Sequence, residues 1–205
     1  MRIIIFIVFN LVSLTSFSQS ELGIGIVSIN FDDKTVIDFY ESSDLNIKVK
    51  TIEFFDDKSI NSWNIKDLEN HQKWLQPESL WLDYHQFSFR TKTKNTDCFE
   101  IYVSDNKTMW IKNKDYVEYQ KWEEYLQNMF SIERIDKNTQ KIYSRPFTKS
   151  EIIKSDKNDC FTVIRMQNDW IEIETAEHCE GGQKIKGWLN WRNNNELLIN
   201  YYTTS

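Results

Sequence analysis

Two stretches of the chain repeat each other. Asp97-Cys98-Phe99-Glu100-Ile101 leads to Trp110-Ile111, and Asp159-Cys160-Phe161-Thr162-Val163 leads to Trp170-Ile171. Each reads as a strand, a polar turn and a second strand opened by tryptophan. A second self-match lies upstream. Ile37-Asp38-Phe39-Tyr40-Glu41-Ser42-Ser43 resembles Gln140-Lys141-Ile142-Tyr143-Ser144-Arg145-Pro146, and each runs on to isoleucines, at Ile47-Lys48-Val49 and Ile152-Ile153. The pattern predicts a mainly β protein with two copies of one small barrel, over 19–130 and 131–205. The tyrosines (40 and 143) are 103 residues apart and the cysteines (98 and 160) are 62 apart, so copy one should hold 41 extra residues. They are expected between about 55 and 95.

That interval predicts a short helix, with Asn64 as its cap, Ile65, Leu68 and Leu75 near one face, and Pro77 as its stop. Phe87-Ser88-Phe89-Arg90-Thr91 then alternates as a strand. Between the copies, Asp115 to Phe130 reads as an amphipathic helix. Tyr119, Trp122, Leu126, Met129 and Phe130 form its apolar face, opposite Glu123, Glu124, Gln127 and Asn128. Such a face is expected to pack between the barrels or on the first. A docking helix for a partner is the alternative. In copy two, Phe161-Thr162-Val163 and Trp170 to Ile173 form a hairpin around Gln167-Asn168-Asp169. A loop with His178, Cys179, Gly181 and Gly182 follows. Ile185, Gly187, Leu189 and Trp191 then alternate against Lys186, Trp188 and Asn190, Asn193 to Asn195 turn, and a last strand closes the copy.

Residues 1–18 read as a signal peptide: Arg2, a mostly apolar run from Ile3 to Leu14, and the small residues Ser16 and Ser18 flanking Phe17 before Gln19. The run is short and broken by Asn10, where a membrane span needs about 20 apolar residues. The alternative is an uncleaved anchor. The chain is therefore expected to be exported, to the periplasm or beyond, with no membrane span in its mature part. Without Arg2, 24 basic residues face 31 acidic ones, with no Lys/Arg cluster, so nucleic acid is not an expected partner. Three cysteines leave at least one unpaired within a monomer. Cys98 and Cys160 hold matching positions in separate copies and should not meet. If the hairpin turns near Gln167-Asn168, residue 160 lies opposite about 175, and Cys179 sits just past the same end. Cys160–Cys179 is thus the expected disulfide, with buried free thiols as the alternative.

Copy two resembles the bacterial SH3-like family. The likeness rests on Ile142-Tyr143-Ser144-Arg145-Pro146, on Asp169-Trp170-Ile171-Glu172-Ile173, and on Gly187-Trp188-Leu189, and covers about 139–205. Copy one keeps Tyr40-Glu41-Ser42-Ser43 and Trp110-Ile111 but has no Gly-Trp pair. The resemblance implies about five short strands in a partly open barrel, and recognition of cell-wall or other extracytoplasmic peptides in place of catalysis.

The residues hold little catalytic promise. Cys179 follows His178 directly, and strand neighbours point to opposite faces, away from the contact a cysteine nucleophile needs. No Gly-Xaa-Ser-Xaa-Gly elbow or glycine-rich phosphate loop is present. His71, His85 and His178 have no second ligand at zinc-like spacing, so neither a metal nor a cofactor is expected. Acidic pairs such as Asp32-Asp33 and Asp56-Asp57 read as solvated turns. The aromatics are the better candidates. Tyr143, Trp188 and Trp191 in copy two, with Tyr40 and Trp110 in copy one, could line shallow troughs for an extended peptide. Trp188 and Trp191 have opposite parity, so at most one faces a given side. Trp170 is expected in the core, and Trp188, between Lys186 and Asn190, at the surface. The function expected is binding or scaffolding of a cell-wall or envelope peptide or protein, without enzymatic activity. The alternative is an immunity or inhibitor protein that caps an envelope-acting enzyme.

Overall fold

Alternating apolar residues set the strands of this chain and decide which faces they bury. The computed structural model describes residues 21–155, 159–179 and 184–203. The expected signal peptide and the Gly181-Gly182 part of the loop lie outside these residues. The protein is mainly β, with antiparallel pairing. The first sheet contains β1 (Gly25–Ile29), β2 (Val36–Tyr40), β3 (Lys48–Asp57), β4 (Ser62–Ile65), β5 (Ser79–Trp81), β6 (Gln86–Lys94), β7 (Cys98–Ser104), β8 (Lys107–Lys112) and β9 (Val117–Lys121). The second contains β10 (Ser131–Arg134), β11 (Ile142–Tyr143), β12 (Ile152–Ile153), β13 (Phe161–Gln167), β14 (Trp170–Thr175), β15 (Lys186–Asn190) and β18 (Ile199–Tyr202). A separate small hairpin pairs β16 (Arg192–Asn193) with β17 (Glu196–Leu197).

The two sheets share one strand order. The first reads β3-β2-β8-β7-β6-β1-β9 beyond its edge strand β4, and the second reads β12-β11-β15-β14-β13-β10-β18. In chain order these are corresponding strands, interrupted by β4 and β5 in the first and by the β16–β17 hairpin in the second. A register shift falls at the same place in each, between Thr91 and Thr93 on β6 and between Val163 and Arg165 on β13. These bulges fix the match residue by residue. Glu100 corresponds to Glu172, and Trp110 to Trp188, each the cross-strand partner of its glutamate. Tyr40 corresponds to Tyr143, each opposite its tryptophan.

This corrects the sequence match between the two cysteine segments, which lies one strand out of step. Cys98 opens β7 and corresponds to Trp170, not to Cys160, and the counterpart of Trp110 is Trp188, not Trp170. Hairpins with the same period-2 alternation resemble one another wherever they lie, and only cross-strand partners tell them apart. The tyrosine match survives. The offset is 103 at Tyr40 and Tyr143 and 72 at Glu100 and Glu172, so copy one carries 31 extra residues where 41 were expected. Each shared order also holds seven strands, against the five or so implied by the family resemblance.

The extra material is mostly not helix. Its α1 spans only Leu68–His71, after Asp67 in the left-handed region (φ 52), and Asn64 lies within β4 instead of capping it. Leu75 enters the first core, beside Phe39, Phe54, Phe87 and Ile101. The expected linker helix is likewise shorter. Val117 and Tyr119 alternate on β9, paired with β1, and pack against the first core. The helix α2 begins only at Trp122 and ends at Gln127. Its start is set by Glu124, whose carboxylate accepts the Lys121 backbone N–H at 3.0 Å. Trp122, Tyr125 and Leu126 then face the second core, which also takes Leu22 and Ile26 from the start of the chain. With Val27 and Ile29 in the first core and Ile26 in the second, β1 is buried on both faces and joins the two sheets.

Candidate functional site

The residues singled out in sequence fall into three places. Tyr143 and Trp188 are cross-strand partners on the outer face of the second sheet, in a row that runs Ile152, Tyr143, Trp188, Glu172, Arg165. Tyr40 and Trp110 hold the same positions in the first sheet, in the row Lys48, Tyr40, Trp110, Glu100, Thr93. Glu172 ties its row by a charged hydrogen bond, whereas Glu100 is held by residues beside its row. Glu172 accepts from Arg165 Nε at 2.6 Å, and Glu100 accepts from Lys92 Nζ at 3.0 Å and Thr108 Oγ1 at 2.6 Å.

Trp188 is not the exposed platform expected from its polar sequence neighbours. It is 6% exposed, and the Arg165 guanidinium lies 5.1 Å from its ring centroid. Side chains from other strands of the sheet, Arg165 two strands away among them, cover it, a contribution invisible along its own strand. Trp191 is 1% exposed, packs in the second core beside Trp122, and donates its indole N–H to the Asn168 carbonyl at 2.9 Å. It therefore cannot meet an external ligand. Trp170, expected in the core, is half-buried on the outer face, edge-on to Tyr143 at 5.5 Å. The rows thus bring Tyr143 to Trp188 and Tyr40 to Trp110, and Tyr40 borders a small cavity of about 40 Å³ with Lys114 and Tyr116.

An open aromatic cleft lies elsewhere, where β5 and β6 of the first sheet meet α2 and β18 of the second. It encloses about 360 Å³ and is lined by Glu78, Trp81, Tyr84, Tyr125, Tyr201 and Tyr202, among others. Three rings at its lip are open to solvent: Trp81 (64% exposed), Tyr84 (59%) and Tyr202 (43%). Tryptophan is highly buried on average, and exposed rings grouped at one cleft mark a candidate interaction site. A smaller cavity of about 130 Å³ shares Ser79, Gln86, Tyr125 and Thr203 with the cleft and extends it towards Asn30 and His85. The two together make an elongated trough.

Glu78 anchors the floor. Its carboxylate accepts the Tyr201 hydroxyl proton and pairs with Arg90 Nε at 2.9 Å, and both charged side chains are largely buried. Burial, reinforced by the Glu78 charge, holds the Tyr201 hydroxyl far above its usual pKa. Burial likewise pushes Tyr125 up to about 12. The rings of Tyr125 and Tyr201 meet edge to face at 5.6 Å. Thr203 Oγ1 donates to Gln86 Oε1 at 2.6 Å across the seam. Ring faces beside hydroxyls, amides and a paired carboxylate suit non-covalent recognition.

Sequence reasoning missed Trp81, Tyr84 and Tyr202. A three-residue strand followed by a single 3-10 turn (Leu82–Tyr84) offers too little periodicity to assign faces. The aromatic density of Trp81-Leu82-Asp83-Tyr84 was the available signal.

No family model matches the chain, and neither does any curated protein or solved structure.

Proposed function

We propose that this is an exported, non-enzymatic binding or scaffolding protein that takes an extended cell-wall or envelope peptide in the cleft between its sheets. The observation that carries the proposal is the set of three solvent-open rings, Trp81, Tyr84 and Tyr202, along one elongated trough. An extended peptide fits such a trough because alternate side chains can stack on rings while its backbone meets polar groups. On this view the two sheets are enlarged relatives of bacterial SH3-like barrels, supported by their common strand order and by Gly187-Trp188-Leu189. The aromatic rows then serve each sheet's own packing, and the ligand site belongs to the seam.

The test is retention of the purified protein on peptidoglycan and on an envelope-protein extract, with wild type beside Trp81→Ala and Trp188→Ala. Trp81→Ala should weaken retention at least tenfold, in line with the roughly 2 kcal/mol or more of an aromatic hot spot. Trp188→Ala should bind like wild type wherever it remains folded. Unchanged retention of Trp81→Ala would remove the cleft from the account. Capture of one discrete protein, with no retention on peptidoglycan, would favour the inhibitor function over wall binding.

A further inference from the structure

A second cluster is built from residues that do not line the cleft. Cys160 precedes β13, while His178 and Cys179 follow β14. The β13–β14 register pairs Phe161 with Thr175, and the Ala176 N–H donates to the Cys160 carbonyl at 3.0 Å. The chain then turns back, with the Cys179 N–H donating to the Ala176 carbonyl at 3.2 Å. The result is convergence: one donor atom from each of Cys160, His178 and Cys179, all within 4.8 Å of one another. His178 Nε2 is 3.7 Å from Cys160 Sγ. The Phe130 ring stacks on the imidazole at 3.7 Å and holds its plane. His178 is exposed and both cysteines are half-buried, so the cluster is open to small solutes. In the structure the two sulfurs are joined as a disulfide, with Cα atoms 6.2 Å apart.

Two sulfurs and an imidazole nitrogen are a donor set for a thiophilic divalent cation, but only as thiolates. We propose that Cys160, His178 and Cys179 form a redox-gated metal site, closed as the disulfide and opened by reduction, with zinc as a fitting cation. The opening step is thiol–disulfide exchange with a dithiol. One thiolate of the dithiol attacks a protein sulfur and breaks the protein S–S bond, and its second thiol then releases the mixed disulfide. The protein gains two electrons and two protons and leaves as two thiols, and the dithiol departs as its own disulfide. On metal binding, both thiol protons pass to solvent. Three protein donors leave a fourth tetrahedral position for water. Spacing concealed the site, because Cys160 lies 18 residues before His178 and only the hairpin brings them together. Cys98, buried in the first sheet beside Asn95, takes no part.

The experiment compares the oxidised protein with protein reduced by a phosphine and freed of reductant. Each is titrated with Zn²⁺ against a chromogenic chelator, and in parallel with Co²⁺ read by absorbance. Reduced wild type should bind one Zn²⁺ per chain at least about tenfold more tightly than the oxidised form, and should show a thiolate-to-Co²⁺ charge-transfer band. Cys160→Ser and His178→Ala should each weaken binding by about 10–100-fold or more, and Cys98→Ser should not change it. Equal affinity of the two redox forms would overturn the proposal. So would wild-type affinity in reduced His178→Ala, whose exposed side chain can be removed without opening a core. Far-UV circular dichroism of the reduced protein is recorded alongside, and zinc binding that accompanies loss of the strand signal would also count against the site.

Discussion

Arg134 shows how one side chain can commit a region. It is 4% exposed, yet all three of its side-chain nitrogens donate hydrogen bonds. Nε and Nη2 each donate to Asp159 at 2.6 Å, Nη2 also donates to Ser155 Oγ, and Nη1 donates to the Gln140 carbonyl, both at 2.9 Å. A buried cation is tolerated only when so fully paired. Arg134→Ala should therefore destabilise the protein by about 3–5 kcal/mol, since Asp159 is left as a buried, unpaired charge. Urea unfolding measures this, and a loss under 1 kcal/mol would refute it. The tyrosines make the complementary case. Tyr125 and Tyr201 both have raised pKa values in the fold. A raised pKa means that the neutral hydroxyl is the folded form, so its contribution is present below the ordinary tyrosine pKa of about 10 and is lost as pH climbs towards the folded value. Stability should therefore fall between pH 10 and about 12, and Tyr125→Phe should flatten part of that fall.

At the scale of elements, the contact between β11 and β15 depends on a glycine. A Cβ on Gly187 would lie 2.7 Å from Ile142 Cγ2, 2.8 Å from Ile153 Cδ1 and 2.9 Å from the Tyr143 carbonyl oxygen. Because one of those atoms is backbone, β11 would have to move. Gly187→Ala should cost about 1–3 kcal/mol, with the loss seen in thermal or urea unfolding. An unchanged midpoint would show that the strands can part without penalty. The first sheet solves the same position differently, with Met109 buried in the core where the second has Gly187. This is why a Gly-Trp pair was legible in one copy and absent from the other. Much at this scale could be read directly, including the Trp170 to Ile173 strand, its hairpin with Phe161 to Val163, and the alternation from Ile185 to Trp191. What could not be read is what depends on neighbours across the sheet. Val117 to Lys121 became a strand because β1 offered an edge, although the aromatic spacing into Trp122 also fits a helix. Trp188 was covered by Arg165, and Trp81 left bare, by partners far away in sequence.

For the whole molecule, the seam between the sheets is a shared possession. Five residues of the second core precede residue 131, namely Leu22, Ile26, Trp122, Tyr125 and Leu126. Residues 131–205 expressed alone should therefore fail to fold. A dispersed amide spectrum from that fragment would contradict the shared core. Across the same seam, Tyr201 from the last strand donates to Glu78, itself held by Arg90. Tyr201→Phe removes a hydrogen bond to a buried carboxylate and should cost about 1.5–3 kcal/mol. The seam gives the molecule its one elongated aromatic trough among the described cavities, and the account rests on that trough as the place where a ligand binds. The most direct measurement is an assigned amide and indole NMR titration of the protein with soluble muropeptides. The account predicts saturable shifts at the Trp81 indole and at the amides of Ser79, Gln86 and Tyr202, with the outer rows around Tyr143 and Tyr40 unmoved. Shifts confined to those outer rows, or none at millimolar ligand, would contradict it.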